Sequence, residues 1–260
     1  MVIAIVQARV GSTRLPKKIL LDLENKPFLW HVLNRIKHAK RVDEIVLAIP
    51  DTKENDILEN FAKENNIKYF RGSEENLLKR HYLAVKKFGA DVVVRIPSDN
   101  ALADPDVIDL VIEKHLSSSA DYTSNVLEAT FPVGLHVEVF NFRALEKAYN
   151  ANTDEYEKEH ATPYIYRHPE IFKLQKVLAD GYLKRPEIRL TTDTQDDLDL
   201  IRQIYKNLYV PGKMFYIKDV INYLDSTKNS LPDFLLKKDE NTFRDFFGAR
   251  KETILRLQNL

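Results

Sequence analysis

The sequence predicts an α/β protein, a three-layer sandwich in which helices cover both faces of a mostly parallel, mixed sheet. Two observations carry this. Short β-branched runs alternate with helical periodicity through the first part of the chain, and strand-like runs in the middle extend the sheet. Strands fall at "VIAIV" (2–6), "EIVLAIP" (44–50), "IKYFRG" (67–72) and "DVVVRIP" (91–97). Between them the spacing predicts helices over "PFLWHVLNRIKHA" (27–39), "KENDILENFAKEN" (53–65) and "EENLLKRHYLAVKKFG" (74–89), the last ending on Gly89 as a C-cap. Right-handed crossovers follow from this rhythm. Ligands of such sheets bind beyond the carboxyl ends of the strands, so residues just after each strand deserve scrutiny.

After a helix over 104–118, "FPVGLHVEVFNF" (131–142) and "IFKLQKVLAD" (171–180) alternate like strands and suggest a substrate wall. "TDEYEKEHATPYIYRHPE" (153–170) reads as a short helix and a loop, and "EIRLTTDTQDDLDLIRQIYKNL" as a strand followed by a helix. "KMFYIKDVINYLD" and "ENTFRDFFGARKETILRLQNL" predict peripheral helices. Residues 1–210 therefore form the main domain, with 211–260 as a helical extension packed on it.

Composition narrows the function. Among 260 residues, 44% are apolar, and 39 basic residues balance 39 acidic ones, which argues against a nucleic-acid binder. There is no cysteine, so disulfides, thiolate zinc sites and a cysteine nucleophile are excluded. The first apolar run is too short for a secretory signal, and no run is long enough to cross a membrane. The expected location is the cytoplasm.

Against this neutral background, "QARVGSTRLPKKIL" (7–20) crowds Arg9, Arg14, Lys17 and Lys18 around Gly11 where the first strand ends. It matches neither G-x-x-x-x-G-K-[ST] nor G-x-G-x-x-G. The elements of an anion site are nevertheless present. Gly11 permits close backbone approach, Ser12 and Thr13 offer N–H and hydroxyl groups, and Arg9, Arg14 and Lys18 can surround a polyphosphate. The plainer reading is a solvated loop whose cations pair with Asp22 or Glu24.

Two aspartates have no local duty. In "RIPSDNALADPDVIDLV", Asp104 before Pro105 is an N-cap and Asp106 suits the helix dipole, which leaves Asp99. In "RLTTDTQDDLDLI", Thr194 and Asp197 resemble a capping box, which leaves Asp193. Two carboxylates at strand ends plus a cationic loop describe a site for Mg2+ and a polyphosphate. The plainer reading of Asp99 is an Asx-turn. His31, His38, His81 and His115 fall within helical patterns and read as packing or surface residues, whereas His136 and His160 read equally as cleft or structural residues.

Taken in order, "QARVGSTRLPKKIL", "RGSEENLLKRHYLA", "RIPSDNALADPDVID", "PVGLHVEVF", "EKEHATPYIYRHPE" and "RLTTDTQDDLDLI" resemble the SpsF-type spore-coat polysaccharide proteins. These group with the cytidylyltransferases that make CMP-acid sugars, the Kdo and acylneuraminate synthetases. The resemblance implies a nucleotide-diphospho-sugar transferase fold (GT-A/Rossmann-like), CTP as donor and Mg2+ as cofactor. It implies Arg9, Arg14 and Lys18 as catalytic cations, and Ala8, Gly11, Ser12, Arg71, Ser73 and Asn76 at the nucleotide. Asp99 and Asp193 would hold the metal; His136, Glu138, Glu159 and His160 would face a small-molecule acceptor. The chain departs from the pattern at Ser98-Asp99-Asn100-Ala101-Leu102, where relatives commonly show G-D-C-P-L, and at His136, where they show aspartate. The acceptor is an acidic sugar or a phosphorylated or phosphonate compound, and a homodimer is expected. Three alternatives stay open at this point: a sugar-1-phosphate nucleotidyltransferase using another NTP, a GT-A glycosyltransferase, and a nucleotide-binding scaffold.

Overall fold

The computed structural model describes residues 1–11, 14–151 and 154–227. The "VIAIV" run forms β1 (Val2–Gln7), flanked in parallel by β4 (Glu44–Pro50) and β6 (Val92–Pro97), with β5 (Lys68–Gly72) parallel to β4. Beyond β6 the sheet reverses: β8 (Glu138–Asn141) runs antiparallel to β6 and to β7 (Tyr122–Ser124), and β9 (Leu174–Lys176) closes that edge parallel to β7. The order is β5-β4-β1-β6-β8-β7-β9, and β2 (Asp22–Leu23) pairs separately with β3 (Lys26–Pro27). This is the predicted mostly parallel, mixed sheet.

The period-two alternation of β1 sorts its side chains into two cores. Ala4 and Val6 pack with α1 (Phe28–Lys37), α2 (Asp56–Glu64), α4 (Pro105–Leu116), α8 (Gln195–Leu208) and α9 (Ile217–Ser226). Ile3 and Ile5 pack with α3 (Leu77–Phe88), α5 (Phe142–Asn150) and α7 (Pro163–Arg167). On this second face β6 contributes Val93 and then Arg95, a charge where an aliphatic would ordinarily sit.

The predicted punctuation holds. Gly89 takes φ 74° and bonds back to Val85, a conformation that is cheap for glycine. Asp104 caps α4 through the N–H groups of Asp106 and Val107, with Pro105 in the first turn. Its other oxygen accepts the N–H of Ile217 at 2.7 Å, which ties α9 to the start of α4. Burial raises the pKa of this carboxyl. Ile217, Val220, Ile221 and Leu224 of α9 enter the first core, each contributing roughly 1.5–3 kcal/mol by burial. The extension beyond residue 210 is thus part of the main core as far as 227; its predicted last helix (240–260) lies outside the described residues.

The middle of the chain departs from expectation. Of 131–142 only Glu138–Asn141 is strand, and of 171–180 only Leu174–Lys176. Side chains hold the rest. Asn125 donates to Leu135 O at 2.7 Å and accepts from Val137 N at 2.9 Å. The segment 153–170 contains two short helices, α6 (Glu155–His160) and α7. Instead of a strand before α8 there is one parallel bridge, Val133 to Arg189. Gly134 makes that approach possible: its φ is 109°, and a Cβ there would lie 2.7 Å from the Leu190 carbonyl carbon. Both edges of β8 are paired within the chain.

Candidate active site

At the carboxyl ends of β1 and β6 the loops converge on one side chain. Lys18, in a 3-10 turn over Lys18–Leu20, is largely buried. Its ammonium donates to Thr192 O at 2.5 Å and Asp193 Oδ1 at 3.3 Å, and lies 3.5 Å from Asp99 Oδ2. Asp99 and Asp193, far apart in sequence, therefore face one point. The backbone adds to this, since Thr192 N–H bonds to Asp99 O at 3.3 Å. The α8 capping box places Asp193: Asp197 Oδ2 accepts the N–H groups of both Asp193 and Thr194. Arg14 meets Asp193 Oδ1 and Arg189 meets Oδ2, each at 3.0 Å.

These groups divide a cleft into two lobes. One, of about 390 Å³, is lined by Ala8, Arg9, Arg14, Lys18, Glu74, Leu77, Arg80 and Glu159. The other, of about 300 Å³, is lined by His136, Thr162, Tyr166, Arg189 and Thr191. Gln7, Arg14, Arg95, Asp99, His160 and Asp193 line both. Burial, reinforced by Arg9, lowers the Arg80 pKa to about 10, and the guanidinium remains charged at neutral pH. Burial pushes His136 down to about 4 and also lowers His160, so both imidazoles are neutral there. His160 is aimed by a strained turn. Ala161 has φ 69° and ψ −44°, and Thr162 N–H bonds back to His160 O at 2.9 Å.

The remaining expected residues fall elsewhere. Arg71 does not reach the cleft: Asp51, Asp56 and Glu59 hold its guanidinium, which pulls Glu59 down to about 2 through hydrogen bonds from Lys63 and Arg71. Ser73 Oγ accepts Asn76 N–H, and Asn76 caps α3 through Lys79 N–H, so both side chains serve the turn. From this stretch Arg80 reaches the cleft instead, braced by Ser73 O at 2.8 Å. Gly11 lines neither lobe, and among the described residues a Cβ there would meet the Glu54 carboxylate at 3.5 Å. Ser12 lies outside the described residues. Glu138 is fully buried behind Arg95, and Glu159 lines the cationic lobe rather than the expected acceptor side. Sequence reasoning missed Gln7, Arg80, Arg95 and Arg189. Arg95 had left a signal as the lone charge in "VVVRIP".

Two convergent carboxylates suit a divalent ion that takes its other ligands from water and phosphate oxygens. Among the described residues no group of three or more His, Asp or Glu is placed to hold a metal unaided. The donor set thus fits an ion that is shared with a polyphosphate.

Comparison with known proteins identifies the class. Residues 3–221 match the family model described as cytidylyltransferase, and the chain belongs to that family of CTP-dependent nucleotidyltransferases. It is 35% identical to the spore coat polysaccharide biosynthesis protein SpsF of Bacillus subtilis, over 79% of this chain and 86% of that one. It is also 25% identical to a 3-deoxy-manno-octulosonate cytidylyltransferase of Chloroherpeton thalassium, over 90% and 95%. The solved structure of a cytidylyltransferase from Leptospira borgpetersenii superposes with a TM-score of 0.83 at 30% identity, covering 92% of this chain and 98% of that one. The fold is the predicted nucleotide-diphospho-sugar transferase fold.

Proposed function

We propose that the protein transfers CMP from CTP, bound with Mg2+, to a small anionic acceptor and releases pyrophosphate. The acceptor is an acidic sugar or a phosphorylated or phosphonate compound destined for surface polysaccharide or glycoconjugate, in line with the names of the relatives. One observation carries this reading: two arginine-lined lobes meet at a wall bearing Asp99 and Asp193. The cytoplasm is the proposed location, and no helix among the described residues is long and apolar enough to cross a membrane.

The acceptor oxygen donates a lone pair to the α-phosphorus, and the bond to the α–β bridging oxygen breaks with its electrons leaving on pyrophosphate. A hydroxyl acceptor also gives its proton to water, whereas a phosphate or phosphonate oxygen has none to give. Arg9, Arg14, Lys18 and Arg80 face the lobe where leaving-group charge accumulates, and stabilise it without reorganising. Asp99 and Asp193 would hold the divalent ion, which supplies further neutralisation at phosphate oxygens. His136, being neutral, orients the acceptor by hydrogen bonding instead of by charge. The test is pyrophosphate release with each NTP against an acceptor panel. Release with CTP and anionic acceptors is expected; release only with another NTP, or only with uncharged acceptors, would overturn the reading.

A further inference from the structure

Arg95 and Glu138 sit directly opposite each other on β6 and β8, on the face that carries Ile3 and Ile5. Glu138 is 0% exposed. One of its oxygens accepts from Arg95 Nη1, and the other from the Tyr122 hydroxyl at 2.8 Å. Tyr122 is itself packed between Phe140 and Tyr166. Glu138 therefore cannot touch a substrate, and both of its oxygens hold neighbours.

Arg95 is different. It is 8% exposed, yet it lines both lobes of the cleft, and its buried Nε has no hydrogen-bond partner among the described residues. Arg14, the other arginine on the shared wall, has a side chain 66% exposed. A buried ion pair adds little stability over an apolar pair of similar volume. What this pair does provide is a guanidinium held through Nη1 by Glu138, on a side chain that lines both lobes. In the CTP-to-acceptor reaction proposed above, on which this step rests, the α-phosphoryl group is the one part of the nucleotide that the acceptor must touch. A cation lining both lobes belongs at that meeting point.

We infer that Arg95 is a catalytic residue that contacts the α-phosphoryl oxygens as the acceptor adds, and that Glu138 and Tyr122 are its positioning residues. The contact strengthens as the acceptor and leaving group come into line, so its loss appears in kcat more than in either KM.

The experiment measures pyrophosphate release under steady state for Arg95→Lys, Glu138→Gln and the charge-free double variant Arg95→Met/Glu138→Gln. CTP affinity is measured by calorimetry and folding by thermal melting. The double variant is included because Arg95→Met alone strands a buried carboxylate. Arg95→Lys and the double variant should lose on the order of 10²–10³ in kcat, with both KM values and the CTP affinity within about threefold of wild type. Glu138→Gln should lose about tenfold in kcat at unchanged KM, the signature of a positioning role. An unchanged kcat with raised KM or weakened CTP binding overturns the inference while leaving the proposed reaction standing. Folded Glu138→Gln with wild-type kcat overturns the positioning role. If the wild type releases no pyrophosphate with any acceptor, the underlying reading falls and this inference with it.

Discussion

Two regions of the cleft, the loop after β1 and the wall formed by β6 and the turn before α8, hold their arginines in opposite ways. On the loop after β1, Arg9 and Arg14 are exposed, and Arg14 meets Asp193. On the wall, Arg189 in the lobe proposed for the acceptor is braced by Asp193 and Asp197, and Arg95, which lines both lobes, by Glu138. Long exposed side chains follow a flexible triphosphate but lose rotamer freedom each time they bind it. Clamped ones have lost that freedom on folding and present a fixed geometry. The contrast suits capture by the loop and orientation by the wall.

The largest expected effect lies on the wall that both lobes share. Asp99→Asn should lower divalent-ion-dependent turnover by on the order of 10³ with the fold intact, because its carboxylate lines both lobes and pairs there with Lys18. Pyrophosphate release and thermal melting check this together; wild-type turnover would sink the metal assignment. Gly134→Ala should strike the acceptor lobe alone. It forces a Cβ against Leu190 at an unfavourable φ, costing about 2–4 kcal/mol by urea unfolding. Acceptor KM should rise while CTP affinity holds, and an equal loss of both would erase the distinction between lobes.

Acid should test the two halves in the same direction. His31 on α1 is buried against Tyr205 and Tyr209, and burial lowers it to about 4; His136 in the acceptor lobe is lowered to a similar value. Between the ordinary value of 6.5 and about 4, the unfolded chain binds a proton at these positions and the folded chain does not. Stability is therefore complete above that window and falls as pH drops through it, by up to about 3 kcal/mol for His31. His31→Gln should flatten that slope in urea titrations run at several pH values. The smallest effect belongs to Arg71→Gln: the KM for CTP should not move, and the melting temperature should dip slightly as Asp51, Asp56 and Glu59 lose their partner. A raised KM would return Arg71 to the nucleotide site.

Legibility followed the same division. β1, β4 and β6 are interior parallel strands, and their near-continuous apolar runs announced them. The caps at Gly89, Asp104 and Thr194 follow local rules, and subtracting them isolated Asp99 and Asp193, which the fold brings to Lys18. The acceptor side obeys no such period. Its backbone is fastened by single side chains, notably Asn125, and by a glycine contact, which leave no repeating signature. Arg71 and Arg80 sit in one motif, and only the packing of α2 and α3 decides which of them meets the cleft.

Asp104 has a consequence for how the molecule is made. One oxygen serves residues beside it, but the other waits for the N–H of Ile217, more than a hundred residues later in synthesis. A nascent chain halted short of that point leaves Asp104, next to the Asp99 loop, without the partner that comes from α9, and among the described residues only Arg35 at 3.9 Å then faces that oxygen. Competence at the rim of the sheet therefore arrives late, with the last described helix, and a ribosome-stalled or truncated product ending before 217 should be folded poorly where it matters most.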